Sequence, residues 1–92
     1  MKLKHVYIRT FSRIERIQPR RTIEYNVYES QVEGLIVYGV HLKEKRQRII
    51  TERIVKYVSC DYYKILDILQ FLYENAIGPI NVNDIVGDLM DV

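Results

Sequence analysis

The chain has few of the residues from which small proteins build covalent or metal-based sites. Its 92 residues include one cysteine, two histidines, two prolines and no tryptophan. A single cysteine cannot form an internal disulfide, so the disulfide-rich secreted scaffolds are excluded. The histidines and the cysteine are not clustered, and zinc requires three or four converging ligands. We therefore expect no metal and no cofactor.

Long apolar runs are also missing. The longest unbroken run, Leu35–Tyr38, is far shorter than the roughly 20 residues that cross a bilayer as a helix. The first residues, MKLKHVYIRTF, lack the apolar segment and the small-residue cleavage site of a signal peptide. These absences predict a cytoplasmic protein without a membrane segment.

No complete catalytic or nucleotide-binding motif is present. Gly34 and Gly39 have the spacing of P-loop glycines, but Val40-His41 follow where Lys-Ser/Thr is required. Cys60 lies near the start of a predicted helix, where a thiolate is favoured, yet a nucleophile also needs a base, which only His41 could supply. The acids after residue 60 recur at helical spacing, as on a solvated helix face. We therefore expect no enzymatic activity.

What the sequence does contain is typical of one globular domain spanning residues 1–92. Apolar residues make up 48% of the chain and charged residues 28%. Alternation over 22–29 places Ile23, Tyr25 and Val27 on one face of a half-buried strand. Further strands are predicted at 3–11, 35–42 and 49–58. A loop, SQVEG, precedes the strand at 35–42, and a charged turn, KEKRQR, follows it.

A helical period replaces the alternation after Ser59. Apolar residues then recur at i, i+3, i+4 and i+7, which predicts an amphipathic helix capped by Ser59. Gly78 is expected to end this helix at positive φ, Pro79 to prevent its continuation, and Asn81 to cap a second, shorter helix.

The order of these elements predicts an α+β fold. It consists of a three- to four-stranded antiparallel β-meander with a C-terminal helical hairpin packed on one face. Residues 1–21 are expected to form a basic strand and connector, residues 22–58 the meander, and residues 59–92 the helical hairpin.

Two stretches resemble a family of uncharacterised proteins. The Tyr38-Gly39 pair inside the meander is one, and the Pro-centred break with its acidic-apolar helix, Pro79–Leu89, is the other. Together they resemble a family of small proteins of unknown function from clostridia and related Firmicutes. The resemblance covers residues 22–92 and leaves the basic N-terminus outside. It implies a bacterial cytosolic protein, and it transfers no catalytic or binding residue.

The uneven charge supports one functional hypothesis, a small nucleic-acid-binding protein. Residues 1–21 hold seven basic groups against one acidic, and residues 43–59 hold six against two. Basic segments interleaved with tyrosines can contact phosphates and stack on bases. The candidate contacts are Arg13, Arg16, Arg20 and Arg21 in the N-terminal segment and Lys43, Lys45, Arg46 and Arg48 at the hairpin tip. A pI of about 8.7 and the lack of a nucleic-acid-binding motif place this hypothesis second.

The hypothesis we favour is a non-enzymatic accessory or regulatory module that acts through protein–protein contacts with an unidentified partner. Tyrosine suits interfaces, and the chain has eight. A helical hairpin covers only one face of a sheet, whereas strands 35–42 and 49–58 carry apolar residues on both. Either the N-terminal segment or a second copy must cover the other face, and we expect a two-fold homodimer. The candidate dimer face consists of Leu35, Val37, Val55 and Tyr57.

Overall fold

The strands and helices follow in the predicted order. The computed structural model describes residues 2–11 and 20–90. Its elements are β1 Lys2–Phe11, β2 Arg21–Val32, β3 Leu35–Arg46, β4 Ile49–Ser59, α1 Tyr62–Glu74 and α2 Pro79–Met90. The strands form one antiparallel sheet in the order β1-β2-β3-β4, and the two helices pack on one of its faces. The predicted α+β fold is confirmed; the basic connector over 12–19 lies outside the described residues.

Both tight turns are shorter than predicted because the strands continue through polar residues. β2 runs to Val32, and only Glu33-Gly34 joins it to β3, with φ of 51° and 82°. A two-residue turn with positive φ at both positions matches the right-handed twist of its strands. β3 likewise includes Lys43–Arg46, which leaves Gln47-Arg48 as the turn into β4. The predicted loop at 30–34 and turn at 43–48 are corrected accordingly.

The core lies between the helices and one face of the sheet, which we call the covered face. Its buried strand residues are Ile23, Tyr25, Val27, Val40 and Leu42. Its buried helical residues are Ile65, Ile68, Leu69 and Leu72 of α1 and Val82 and Val86 of α2. The predicted apolar faces of β2 and α1 are therefore confirmed. Burial of each large apolar side chain contributes about 1.5–3 kcal/mol, and this term holds the helices to the sheet.

The first helix begins later than predicted, because β4 continues through Ser59. Asp61 is the N-cap, and its carboxylate accepts hydrogen bonds from the backbone nitrogens of Tyr63 at 3.0 Å and Lys64 at 3.4 Å. Ser59 instead accepts a hydrogen bond at its Oγ from the Asp61 backbone nitrogen at 3.0 Å. Serine and aspartate are both good caps, so the sequence preference does not choose between them. The pairing of Ser59 with Tyr38 keeps Ser59 in β4, so Asp61 becomes the N-cap.

The end of α1 uses a left-handed residue, but not the predicted one. Ala76 has φ of 53°, whereas positive φ among the described glycines occurs at Gly34 and not at Gly78. The Ala76 nitrogen donates to the Tyr73 carbonyl at 3.2 Å, and the Ile77 nitrogen donates to the Leu72 carbonyl at 2.9 Å. This pair of bonds is the Schellman motif. The motif normally prefers glycine at the position that Ala76 occupies.

Pro79 starts the second helix instead of only stopping the first. α2 begins at Pro79, where the missing N–H costs nothing because the first helical nitrogens have no partner in the helix. Asn81 therefore lies inside α2, and its assignment as the cap is corrected. The link between the helices is attached to the sheet by the Tyr25 hydroxyl, which donates to the Ile77 carbonyl at 2.9 Å.

Gly39 marks the place where β4 departs from regular pairing. The register between β3 and β4 is interrupted between Tyr38 and Val40. At Gly39 the two backbones lie so close that a Cβ atom would overlap the carbonyl oxygens of Val55 and Lys56. Only glycine allows this approach, because it carries no Cβ.

Candidate interaction surfaces

The structure divides the candidate dimer residues among different surfaces. The two-residue turn pairs Arg46 with Ile49, and the same register pairs Val55 with Val40 on the covered face, against the core. Leu35 and Val37 lie instead on the opposite face, at the far end of the β2–β3 hairpin. Tyr57 is 65% exposed, in the irregular stretch of β4. The assignment of all four to one face is therefore wrong, because it assumed a register that the turn does not produce.

The face without helices, the open face, is also less apolar than predicted. Apart from Val32 and Leu35 at the far end of the β2–β3 hairpin, its exposed apolar side chains include Ile8, Ile50 and Ile54 on the edge strands. The central strands between them carry polar residues on this face, which are Thr22, Glu24, Asn26, His41, Lys43 and Lys45. Over residues 22–26 of β2 and 41–45 of β3, the centre of the open face is therefore polar.

Two polar side chains on this face are nevertheless buried. Asn26 and His41 are 7% and 6% exposed, and the Asn26 amide nitrogen lies 2.9 Å from His41 Nδ1. An amide that donates to Nδ1 leaves the ring proton on Nε2, which lies 3.7 Å from Glu52 Oε1. Both ring nitrogens of His41 are thus directed at residues of the sheet rather than at Cys60. This geometry removes His41 as a base for the cysteine.

The β2–β3 hairpin extends beyond both edge strands and forms what we call the apolar arm, residues 30–37. β1 reaches β2 only as far as Glu29, and β4 reaches β3 only as far as Tyr38. Among the described residues, the arm therefore has no neighbouring strand on either side. Its exposed apolar side chains are Val32 at 40%, Leu35 at 66% and Ile36 at 42%. The tip is apolar on both sides, since Val32 pairs with Leu35 on one and Ile36 lies on the other.

A groove rich in tyrosine lies at the base of this arm, and we call it the tyrosine groove. It encloses about 590 Å³ and opens to solvent. Its lining residues are Leu3, Lys4, Val27, Glu29, Tyr38, Tyr62 and Tyr63. Tyr62 packs edge-on against Tyr38, with ring centroids 5.2 Å apart, and against Tyr63 at 6.2 Å. The volume falls within the range of pockets that hold small ligands, so several apolar side chains can enter it.

Among the residues that the structure describes, Lys4 is the only cation that lines the tyrosine groove. Its Nζ donates a hydrogen bond to the Tyr62 hydroxyl at 2.9 Å and lies 5.4 Å from the Tyr62 ring centroid. The hydrogen bond that Lys4 donates to the Tyr62 hydroxyl raises the pKa of Lys4, because it favours the charged ammonium. Lys4 therefore places a positive charge beside aromatic rings, and Glu29 adds a negative charge elsewhere in the lining, so the part of the groove at Lys4 suits an acidic and apolar partner segment.

At the opposite end of the sheet, the register brings basic residues from two distant segments together. β2 starts where β3 ends, so Arg21 pairs with Arg46 and Thr22 pairs with Lys45. Arg20, Lys45, Arg46 and Arg48 are exposed at this end, which we call the basic end. Lys43 is half-buried on the open face and is paired in register with Glu24 and Glu52. Arg13 and Arg16 lie outside the described residues.

A buried carboxylate neutralises part of the basic end. Glu44 is 8% exposed, and its Oε1 lies 3.1 Å from Arg21 Nη1 and 3.7 Å from Arg46 Nη2. The Arg21 guanidinium also stacks over Phe11, 4.2 Å from the ring centroid. These contacts show that Arg21 has a structural role, since it holds β1, β2 and β3 together. The free positive charge of this end is therefore smaller than the sequence predicted.

The remaining observations concern the cysteine, metal ligands and membrane segments. Cys60 is exposed and precedes the cap of α1. In the part of the chain that the structure describes, no three His, Cys, Asp or Glu side chains are placed to hold a metal ion. No described helix is long and apolar enough to cross a membrane.

The fold and its surfaces define a small α+β domain whose notable features are an arm, a groove and a charged end. The model of DUF6514, a family of unknown function, matches residues 4–92, and the chain belongs to that family. The resemblance to an uncharacterised family is thereby confirmed, and its coverage is corrected because the match includes most of the basic N-terminus. Comparisons with curated proteins and with solved structures find no match. The occurrence of this family in clostridia stays a prediction.

Sequence reasoning missed the arm, the groove and Glu44 for different reasons. Glu33-Gly34 between apolar residues is a usable turn signal, although weaker than Asn-Gly or Asp-Gly. Glu44 follows Val40 and Leu42 at period 2, so a longer β3 would have placed it on the covered face. The groove had no local signal, because its wall joins Lys4 to Tyr62 across 58 residues of chain.

Proposed function

We propose that this protein is a small, non-enzymatic interaction module that self-associates as a homodimer through the apolar arm. The observation that carries the proposal is the exposure of Val32, Leu35 and Ile36 on a hairpin that leaves the sheet. Full burial of a leucine or isoleucine side chain contributes about 1.5–3 kcal/mol, so two or three such residues at each of two arms can drive association.

The arm is already an ordered hairpin in the single chain. Ser30 to Val32 pair in register with Leu35 to Val37, and the Ser30 hydroxyl donates to the Val37 carbonyl at 3.4 Å. Ordering of a loop at an interface costs free energy, and a pre-formed hairpin avoids most of that cost. The arm is therefore better suited to contact than a disordered loop of the same composition.

The edges of the sheet are less suited to pairing with another chain. β1 contains a register shift between His5 and Tyr7, and β4 contains one opposite Gly39. Lys4 and Arg9 on β1, and Arg53 and Lys56 on β4, add charges to these edges. Irregularities and cations on edge strands oppose edge-to-edge pairing. The polar centre of the open face likewise argues against a dimer formed by that whole face.

The proposed site of action is the cytoplasm of a bacterium. An unpaired exposed cysteine is compatible with a reducing compartment, where thiols stay reduced. This part of the proposal rests on that thiol and on the resemblance given above.

Sedimentation equilibrium of the full chain at tens of micromolar tests the proposal. We expect a dimer for the wild type, and a species of 11.0 kDa for the double variant Leu35→Ser with Ile36→Ser. The matched control is Ile49→Ser with Ile50→Ser, which removes two side chains that are 67% and 54% exposed at the other end of the sheet. The control should remain dimeric. A monomeric wild type would overturn the proposal.

A second candidate function, binding of single-stranded nucleic acid, is favoured by one observation. The sheet register gathers Arg20, Lys45, Arg46 and Arg48 at one end, although they come from two segments of the sequence. Cations grouped in this way release counterions when they contact phosphates, which makes binding strongly dependent on salt. The Glu44 carboxylate works against this function, because its Oε1 lies 3.7 Å from Arg46 Nη2 and partly neutralises that cation.

Retention on single-stranded DNA and RNA at low salt tests this second function. Replacing Lys45 and Arg48 by Gln should abolish retention, whereas the same change at Lys56 and Lys64, which are also exposed, should leave it almost unchanged. Both double variants lose the same charge, so the comparison separates a localised contact from net charge. No retention of the wild type at high micromolar concentration would exclude the function.

A further inference from the structure

The apolar arm and the tyrosine groove are neighbours, and this placement defines how a second copy can bind. The residues at the base of the arm, Glu29 and Tyr38, also line the groove. A two-fold axis beside that base would bring each arm to the groove of the other copy. In such an isologous contact each molecule supplies both the inserted element and the receiving site.

We propose that the tyrosine groove is the docking site for the apolar arm of a second copy, so that the two chains exchange arms. The inference rests on the proposed function and deepens it, because it names the surface that receives the arm. The arm extends three residues on each strand beyond its base, or roughly 10 Å at about 3.3 Å per residue, and the Glu33-Gly34 turn closes it. That reach is sufficient for its tip to enter a neighbouring groove.

The shapes of the two surfaces agree with insertion. The tip of the arm is apolar on both sides, with Leu35 on one and Ile36 on the other. A flat contact would bury only one of these sides, whereas a groove buries both. Tyr63, which is 77% exposed at the mouth of the groove, would lose most of its exposed ring to such a partner.

The charges of the two surfaces also agree. Glu33 is the only charged residue of the arm, and it is exposed at the turn. Lys4 is the cation that lines the groove within the described part of the chain, and its ammonium donates a hydrogen bond to the Tyr62 hydroxyl. Glu29, at the base of the arm, also lines the groove and contributes an opposing charge. Attraction between Glu33 and Lys4 would favour the inserted orientation and fix the register of the two copies.

Matched variants of the groove test the inference by sedimentation equilibrium. Tyr63→Ser should raise the dimer dissociation constant by about tenfold or more, because it removes a central aromatic contact. Lys4→Gln should raise it less, and more clearly at low salt than at high salt. The control Ile80→Ser removes a side chain that is equally exposed, at 78%, in the first turn of α2, two residues after Gly78, which lies close to Glu44. The control should leave the constant unchanged.

A disulfide formed between copies gives a direct second readout. Cys60 is exposed and lies next to the α1 residues that line the groove, so Leu35→Cys should cross-link to Cys60 of the other copy under mild oxidation. The product should have twice the chain mass on a non-reducing gel. Leu35→Cys combined with Cys60→Ser should lose this product, and Ile80→Cys should not form it.

The outcomes separate this inference from the proposed function. A dimer that needs the arm but is unaffected by Tyr63→Ser, or one that cross-links through Leu35→Cys without Cys60, would overturn arm exchange and leave the interaction module standing. A monomeric wild type would overturn both, and would leave the groove to a partner of different sequence. Loss of dimer in both groove and arm variants, with the Cys60 cross-link, supports exchange.

Discussion

The covered face and the apolar arm are built from the same two strands, yet one is fully packed and the other is bare. Along β2 and β3, Ile23, Tyr25 and Leu42 have no solvent exposure, whereas Leu35 on the same hairpin is 66% exposed. Their residue types and their period-2 alternation are similar. The difference arises from their neighbours, because helices and edge strands flank one part of the hairpin and end before the other. Strand pattern therefore identifies which side chains share a face, and tertiary contacts decide whether that face is buried.

Substitution in the two regions should produce the largest contrast. Leu69→Ala removes a fully buried side chain and should lower the free energy of unfolding by about 2–5 kcal/mol. Leu35→Ala should change it by no more than about 0.5 kcal/mol, because the side chain is exposed in the single chain. Urea unfolding measures both changes, at a protein concentration that is low enough to exclude association. Similar losses at the two positions would mean that the arm is packed within its own chain.

A second contrast concerns the boundary between the two regions. Gly39→Ala should destabilise by about 1–3 kcal/mol or more, because its Cβ would overlap backbone atoms of β4 that cannot move independently. Gly87→Ala should stabilise by about 0.5–1 kcal/mol, because it is an exposed helical position with no atom within 4 Å of the added Cβ. Thermal unfolding followed by circular dichroism compares the two. A tolerated alanine at residue 39 would contradict the close approach of β4.

The packed region should also respond to high pH, through the buried phenol of Tyr25. Burial raises the pKa of Tyr25 to about 12, so the folded state keeps the phenol protonated when the unfolded state releases its proton. This contribution to stability is complete below pH 10 and is lost as the pH rises from about 10 to 12.

Tyr25→Phe isolates this effect. At pH 7 the variant should lose about 0.5–1.5 kcal/mol, since the hydrogen bond to the Ile77 carbonyl is removed. Between pH 10 and 12 its stability should decline less steeply than that of the wild type. Tyr63→Phe, at a ring that is 77% exposed, is the control and should follow the wild type throughout. Parallel curves for Tyr25→Phe and the wild type would refute the pKa assignment.

The smallest expected effect on stability concerns Ala76, at the C-terminal end of α1. Ala76 adopts φ of 53° in the Schellman motif, a conformation that costs a residue with a Cβ about 1 kcal/mol. Ala76→Gly should therefore stabilise by about 0.5 kcal/mol, after allowance for the greater freedom of glycine in the unfolded chain. Ala76→Val should destabilise, since β-branching makes the left-handed region less accessible. Melting temperatures that fall in both variants would contradict this account of the cap.

The errors of sequence-based prediction in this chain are concentrated where two signals of equal strength compete. Ser59 and Asp61 are equivalent as caps, and Gly78 is a better left-handed residue than Ala76, yet Asp61 and Ala76 take these roles. The position of β4 in the sheet fixes where α1 can begin. The bond from Tyr25 to Ile77 helps to fix where the link between the helices must run. Local preference is worth about 1 kcal/mol at such positions, which several tertiary contacts readily exceed.

The sequence by itself determined the element order, the α+β class and the buried sides of β2 and α1, because apolar periodicity is a local property that persists in the folded chain. Only the tertiary structure decided the register of β4, which depends on a turn of two residues and which places Val55 on the covered face, packed against the core, instead of on the expected dimer face. It also decided that Arg21 is held by a buried Glu44, and that Lys4 and Tyr62 share a groove. These are contacts between residues far apart in the chain, and their geometry is fixed only when the whole sheet and its helices pack together.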